Sequence, residues 1–175
     1  MSANNTIQIY VGTYAKYNNG SLFGKWLDPT EYHELAEFYE ACRELHADET
    51  DPEFMFQDHE GIPVRFISES HLSEDFYAYR EVVYSWDDER IEALETFINW
   101  MQPQGDIDDI VSSFEESFQG EFDSELDFTY DYIENCGYLS NVPNTVANYF
   151  DYEKFSRDLF MQDYNYQNGF VFRNI

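Results

Sequence analysis

Thirty-six Asp and Glu stand against nine Lys and Arg, a formal net charge of −27 on 175 residues. Such an excess normally belongs to a disordered acidic segment, because repulsion is high and there is little to bury. This chain is built differently. Phe, Tyr and Trp make up 19% of it, with 16 Phe, 15 Tyr and 3 Trp, and that much aromatic surface supports a buried core despite the repulsion. The sequence therefore has to hold dense negative charge on a folded frame. Self-repulsion costs stability, so the reason for the charge is to be sought in a partner.

The acid is spread along the chain. Residues 1–27 contain none, residues 28–60 contain 12, residues 61–120 contain 14 and residues 121–175 contain 10. A solvating tail would concentrate it at one end. Phosphate contacts need clustered Lys and Arg, so direct nucleic-acid binding is not expected. Cations, or proteins with basic surfaces, are the natural partners. No stretch approaches the ~20 apolar residues of a membrane span. Met1-Ser2-Ala3-Asn4-Asn5 has neither a basic nor an apolar leader region, so a cytoplasmic protein with no membrane association is expected. Cys42 and Cys136 are far apart and read as two buried thiols in a reducing compartment.

The hydropathy pattern predicts a mixed α+β fold, elongated, in three small lobes: residues 1–70, 71–119 and 120–175. Ile7 to Val11 alternates as a strand, Asn18-Asn19-Gly20 signals a turn, and Ser21 to Leu27 reads as the second strand of a hairpin. Asp28-Pro29-Thr30 predicts a helix start, with the helix running to about His46 on the apolar face Leu35, Phe38, Cys42 and Leu45. Phe54–Phe56 and Val64–Ile67 read as two more strands around Glu60-Gly61. Residues 72–118 read as three helices, with Ser85-Trp86-Asp87-Asp88 capping the second, Asp106 capping the third and Phe118 closing its core stripe. From Gly120 a further helix is expected to about Cys136 on the stripe Phe122, Leu126, Tyr130 and Ile133. Another follows from Val142-Pro143-Asn144 to about Phe160, and Gly169–Phe172 closes the chain as a strand.

Motifs for catalysis are lacking. His33-Glu34-Leu35-Ala36-Glu37 has no second histidine for a zinc-binding helix. His33, His46, His59 and His71 share no metal spacing, and Asp106-Ile107-Asp108-Asp109 lacks the Gly and Glu of a calcium loop. Carboxylates are so abundant that any pair could pass for a general acid and base, which empties that signal. The reading is of a non-enzyme with no cofactor and no metal.

The acidic residues instead form helix faces. The ridges are Glu34, Glu37, Glu40 and Glu44; Asp87, Asp88, Glu92 and Glu95; Asp108, Asp109, Glu115 and Glu116; and Asp123, Asp127, Asp131 and Glu134. A single charged face is usually just solvated, but ordinary helices mix signs to gain i,i+4 pairs. These forgo that stabilisation. B-form DNA carries one charge per ~1.7 Å of axis, so this net charge matches roughly 46 Å of duplex, and a two-fold dimer roughly 92 Å, or ~27 base pairs. Carboxylates on successive turns lie ~5–6 Å apart. A rigid frame of this kind would engage Lys and Arg that normally meet phosphates.

The run Ile9-Tyr10-Val11-Gly12-Thr13-Tyr14-Ala15-Lys16-Tyr17-Asn18-Asn19-Gly20, followed by Leu22, Gly24 and Trp26-Leu27, resembles the N-terminal signature of the ArdA antirestriction proteins. Phe56-Gln57-Asp58-His59-Glu60-Gly61 resembles that family's aromatic–acidic turn, with His59 where the family often has Tyr. Val142-Pro143, Asn148-Tyr149, Asp151-Tyr152 and Arg157-Asp158-Leu159 resemble its C-terminal block. The resemblance implies a mobile-element protein that acts as a homodimer of three-lobed subunits and imitates DNA. It implies occupation of the DNA groove of type I restriction–modification enzymes, at the methyltransferase and specificity-subunit core, without catalysis or cofactor. It also implies dimer contacts in the C-terminal lobe, for which the uncharged aromatic run with Tyr138, Leu139, Val142, Tyr149 and Phe150 is the candidate carrier, with intradomain core as the competing use. The alternative functional reading is a generic acidic adaptor or chaperone for basic proteins. A carboxylate-dependent metalloenzyme, or the acidic surface of a halophile, is less well supported.

Overall fold

The computed structural model describes residues 6–175, so the reading of Met1–Asn5 lies outside it. The fold is α+β, as the hydropathy pattern predicts. By its internal contacts the chain divides into two compact units, one through Ile91 and one from Glu92.

In the first unit the alternating segment Gln8–Thr13 forms β1, the middle strand of an antiparallel sheet ordered β2-β1-β3, with β2 at Lys25–Leu27 and β3 at Phe54–Glu60. Its central place explains the burial of Ile9, Val11 and Thr13. The β1–β2 connection holds a short helix, α1 (Tyr14–Asn18), capped by the Thr13 hydroxyl oxygen, which accepts from the Lys16 amide. Gly24 lets β2 close on β1: a Cβ there would stand 2.5 Å from the Val11 carbonyl oxygen. Between Tyr10 and Val11 the pairing to β3 shifts from Asp58 to Phe56, so Gln57 is the extra residue of a bulge.

The helix expected from Asp28 begins later. Asp28 Oδ1 accepts from both the amide (2.7 Å) and the hydroxyl (2.6 Å) of Thr30, closing one 3-10 turn over Pro29–Glu31. Carbonyls that a continuing helix would use are taken from outside. Tyr77 donates its hydroxyl to Pro29 O and Arg80 its guanidinium to Thr30 O. Helix α2 then spans Leu35–Leu45 and buries Phe38 and Cys42. Phe38 meets Phe56 with ring centroids 6.1 Å apart, and Tyr39 stacks on Phe54.

The strand expected at Val64–Ile67 is absent. Pro63 has no amide to offer a ladder. Its carbonyl accepts from Phe66 N–H in a turn, leaving a single bridge from Ile67 to Leu72. Ile62, Phe66, Ile67 and Leu72 are buried all the same, as packing and not as sheet. Helix α3 (Asp75–Val83) follows, and α4 (Asp88–Met101) starts at a cap supplied by Asp87, not Ser85: Asp87 Oδ1 accepts from the Arg90 amide at 2.9 Å.

In the second unit α5 (Ile107–Ser117) runs without a break into β4 (Phe118–Glu121), which the sequence reading placed partly in a helix. Asp106 caps α5 as expected, accepting from the Asp109 amide. After α6 (Glu125–Cys136), the helix expected from Asn144 to Phe160 is divided into α7 (Asn144–Ala147) and α8 (Tyr152–Gln162), because Asp151 caps a new start by accepting from the Lys154 amide. Strand β5 (Tyr164–Gln167), missed in the sequence, pairs with β6 (Phe170–Arg173) across Asn168-Gly169, both at positive φ. The sheet order is β4-β6-β5.

Strand β6 is covered on both faces. Phe172 packs among Phe97 and Trp100 of α4, Phe114 of α5 and Phe118. Val171 joins Phe128, Leu159 and Tyr164 in a second cluster lined by Phe122, Tyr132, Phe155 and Phe160. The buried face of α6 is therefore Phe128, Thr129 and Ile133; of the predicted stripe, Ile133 is buried and Phe122 and Leu126 are half-buried, whereas Tyr130 is 47% exposed. Cys42 is buried as expected, but Cys136 lies exposed at the end of α6.

Candidate acidic recognition surface

Each acidic ridge is set by which helix positions the aromatic core claims. In α2, Phe38 and Cys42 point inward, and Glu37, Glu40 and Glu44 are left outside with the preceding Glu34. Glu37 also accepts from the His33 amide at 2.8 Å, which ties the incoming chain to the first turn. Asp87 and Asp88 are exposed at the start of α4, where Asp87 doubles as the cap. The Arg90 guanidinium lies 4.3 Å from the Trp86 ring centroid, so one cation interrupts the acid here.

The second unit carries the purer charge. It holds seventeen carboxylate side chains against three Lys and Arg, and residues 91–153 contain no basic side chain. Glu92 is exposed, whereas Glu95 is half-buried and engaged in interactions of its own. On α5 the inward residues are Ile107, Ile110 and Phe114, and Asp108, Asp109, Glu115 and Glu116 are exposed. On α6, Asp127, Asp131 and Glu134 follow one another along the outer face at i, i+4 and i+7, and Asp123 lies in the loop before the helix. Ser124 fixes the first turn reciprocally: its oxygen accepts from the Asp127 amide (3.1 Å) and its hydroxyl donates to Asp127 Oδ2 (2.6 Å). Asn135 donates to Asp131 Oδ2 at 2.7 Å. These neutral donors orient the carboxylates without cancelling their charge. Fifteen of the sixteen predicted acidic residues are thus exposed, and Glu95 is the exception. Of the five uncharged residues singled out, Tyr149 is 88% and Tyr138 53% exposed, while Leu139, Val142 and Phe150 are half-buried.

One polar knot escaped the sequence reading. Lys16 Nζ reaches Asp48 Oδ1 at 2.7 Å, Glu49 Oε1 at 2.9 Å and His46 Nδ1 at 3.0 Å. His46 is fully buried, and its Nε2 lies 3.2 Å from the Val11 carbonyl oxygen. A carbonyl only accepts, so Nε2 carries the proton and Nδ1 accepts from Lys16. His46, Asp48 and Glu49 have ligand atoms within 4.8 Å of one another, close enough for a metal, but the Lys16 ammonium stands among them and supplies the positive charge. Lys16 on α1 is 30 or more positions from the other three, which lie together at the exit of α2, so no local spacing could have revealed the set.

The knot gives a pH signature. The hydrogen bond from Lys16 holds Asp48 below its ordinary value, and hydrogen bonds from Thr13 and then Lys16 do the same for Glu49. Burial alone would lower the Lys16 pKa, but its bonds to Asp48 and Glu49 outweigh that and raise it. Carboxylates with depressed folded values stabilise above their unfolded values and lose that contribution as pH falls through the folded ones. Lys16→Met is expected to lower the melting midpoint by about 2–4 °C at pH 7. The gap from wild type should narrow toward pH 3. Thermal melts at the two pH values check this, and an equal gap at both would show that the charge pairing contributes nothing.

Among the described residues no helix is long and apolar enough to cross a membrane. A small α+β frame that exposes Asp and Glu along the outer faces of α2 to α6, with few basic side chains among them, defines a strongly acidic protein. The chain matches the family model "Antirestriction protein (ArdA)" over residues 9–172, and it belongs to the ArdA family of antirestriction proteins. This family is non-catalytic and its members act on restriction enzymes. No curated relative matches the chain.

Proposed function

We propose that this protein is an acidic DNA mimic that occupies the DNA-binding groove of type I restriction–modification enzymes, at the methyltransferase and specificity-subunit core. It blocks them without catalysis or cofactor. The observation that carries the reading is the single-sign surface of residues 92–153, where Asp108, Asp109, Glu115, Glu116, Asp127, Asp131 and Glu134 are exposed on a stretch without Lys or Arg. Backbone phosphates dominate the affinity of DNA-binding proteins, so a protein presenting carboxylates at similar spacing needs no base edges to compete. The target in this reading is an intracellular enzyme, so the protein is proposed to act in the cytoplasm and to be carried on mobile elements. The three-lobed division at residues 70 and 119 belongs to the same reading.

The protein acts as a homodimer in this proposal. The exposed rings of Tyr138 and Tyr149, with Leu139, Val142 and Phe150, are offered for the subunit contact, since residues 135–150 carry no charge of either sign. Burying uncharged aromatic surface is compatible with two chains of −27 approaching each other.

The decisive experiment is capture of a purified type I methyltransferase core on immobilised protein, across a salt series and with duplex competitor. Binding is expected to fall by at least tenfold between about 50 and 200 mM salt and to be displaced by duplex. Indifference to duplex, with equal capture of unrelated basic proteins, would replace mimicry with a generic acidic adaptor.

A further inference from the structure

Between α6, the turn after it and the start of α8 lies a pocket of about 310 Å³ that shares Glu134 with the acidic surface but whose aromatic walls that reading does not use. Its lining is Tyr130, Ile133, Glu134, Leu139, Ser140 and Tyr152. The Tyr130 and Tyr152 rings are 4.6 Å apart between centroids, and Phe150 backs Tyr152 at 4.9 Å. Tyr130 and Glu134 sit one turn apart on α6, with Ile133 buried between them. No lining residue is basic. A plain phosphate imitation needs no such aromatic walls.

We infer that this pocket receives an arginine side chain of the partner protein. The assignment rests on the DNA-mimic reading for the partner's basic character, and on the pocket's own chemistry for the residue. Guanidinium stacks on aromatic faces and pairs with a carboxylate through a planar fork of donors, whereas lysine is a compact, strongly hydrated point charge. Here two tyrosine rings, one carboxylate and a serine line the pocket together with Ile133 and Leu139, whose apolar side chains suit the stem of arginine. The negative charge is local as well as global: Glu134 lines the pocket, and Asp127 and Asp131 precede it along the outer face of α6. The partner's arginine thus meets a site selective for its shape inside a surface that attracts any cation.

The test titrates the full chain with N-acetyl-arginine methylamide and, separately, with the lysine analogue, following tyrosine ring signals by NMR. The arginine compound is expected to shift the signals of Tyr130 and Tyr152 and to bind at least fivefold more tightly than the lysine compound. Glu134→Gln and Tyr130→Leu should each weaken it at least fivefold, and Tyr130→Phe should retain it. Tyr130 is half exposed, so these variants are expected to keep the wild-type melt. Equal binding of both compounds, or indifference to Glu134→Gln, would overturn the inference and leave the mimicry reading intact. Arginine-selective binding alongside failed capture of the methyltransferase core would instead condemn the mimicry reading and keep the pocket. If Glu134→Gln turns a dimer into a monomer, the pocket belongs to a second copy of this chain and the inference falls.

Discussion

Replacing Asp127, Asp131 and Glu134 together by Lys is expected to weaken binding to a type I methyltransferase core by 100-fold or more at low salt. The three lie on one outer face of α6 and are exposed. Reversal places like charges against the enzyme's phosphate-binding Lys and Arg, and such juxtaposition costs several kcal/mol, where each ~1.4 kcal/mol is tenfold. A single carboxylate-to-amide change should be nearly silent, because an exposed pair contributes only about 0–1 kcal/mol. Inhibition of DNA cleavage and binding by calorimetry both read the effect. Retention of full inhibition by the triple variant would remove α6 from the proposed surface. Loss of inhibition from one amide substitution, with the fold intact, would mean that a specific contact and not a distributed charge is being recognised.

Phe172→Ala is expected to be the most damaging single truncation in the second unit. The side chain is fully buried, with Phe97, Trp100, Phe114 and Phe118 around it at centroid distances of 5.7–6.4 Å. Removing a ring from such a site leaves a cavity its stiff neighbours cannot fill, at a cost of about 3–5 kcal/mol. Tyr84→Ala is the matching control: at 90% exposure it should leave stability within about 0.5 kcal/mol. Urea denaturation followed by circular dichroism compares the two. A cost under about 1 kcal/mol for Phe172→Ala would contradict the role given to β6.

What could be read beforehand follows a pattern. The helices α2 to α6 were legible because Phe38, Cys42, Leu94, Ile98, Ile110, Phe114 and Ile133 recur at helical spacing, and the acidic faces were legible for the same reason on the opposite side. The errors fall where a distant residue decides. Pro29 and Thr30 looked like a helix start, but Tyr77 and Arg80 claim their carbonyls from 48 and 50 residues away. Val64–Ile67 had strand composition, yet its apolar residues are satisfied by packing around a proline turn. Tyr130 fitted the α6 stripe by spacing, but the cluster around Phe128 rotates the helix so that Tyr130 faces outward. Strand β5 has a local signal: Asn168-Gly169 is a two-residue hairpin turn, and Tyr164–Gln167 before it alternates tyrosine with amide side chains. The arginine pocket could not be read from the sequence at all, since Tyr152 comes to Tyr130 only through the packing of α8 on α6.

The place of β6 bears on how the protein is made. It follows every other element of the second unit in the sequence, yet it is the strand onto which both of that unit's hydrophobic clusters close. During translation the first unit has all its strands and helices available early, because domains fold as they emerge. The second must wait, its Phe and Tyr residues exposed, until Phe170–Arg173 has left the ribosome. The seventeen carboxylates of that unit give the incomplete chain a large like charge, and like charge opposes association between copies.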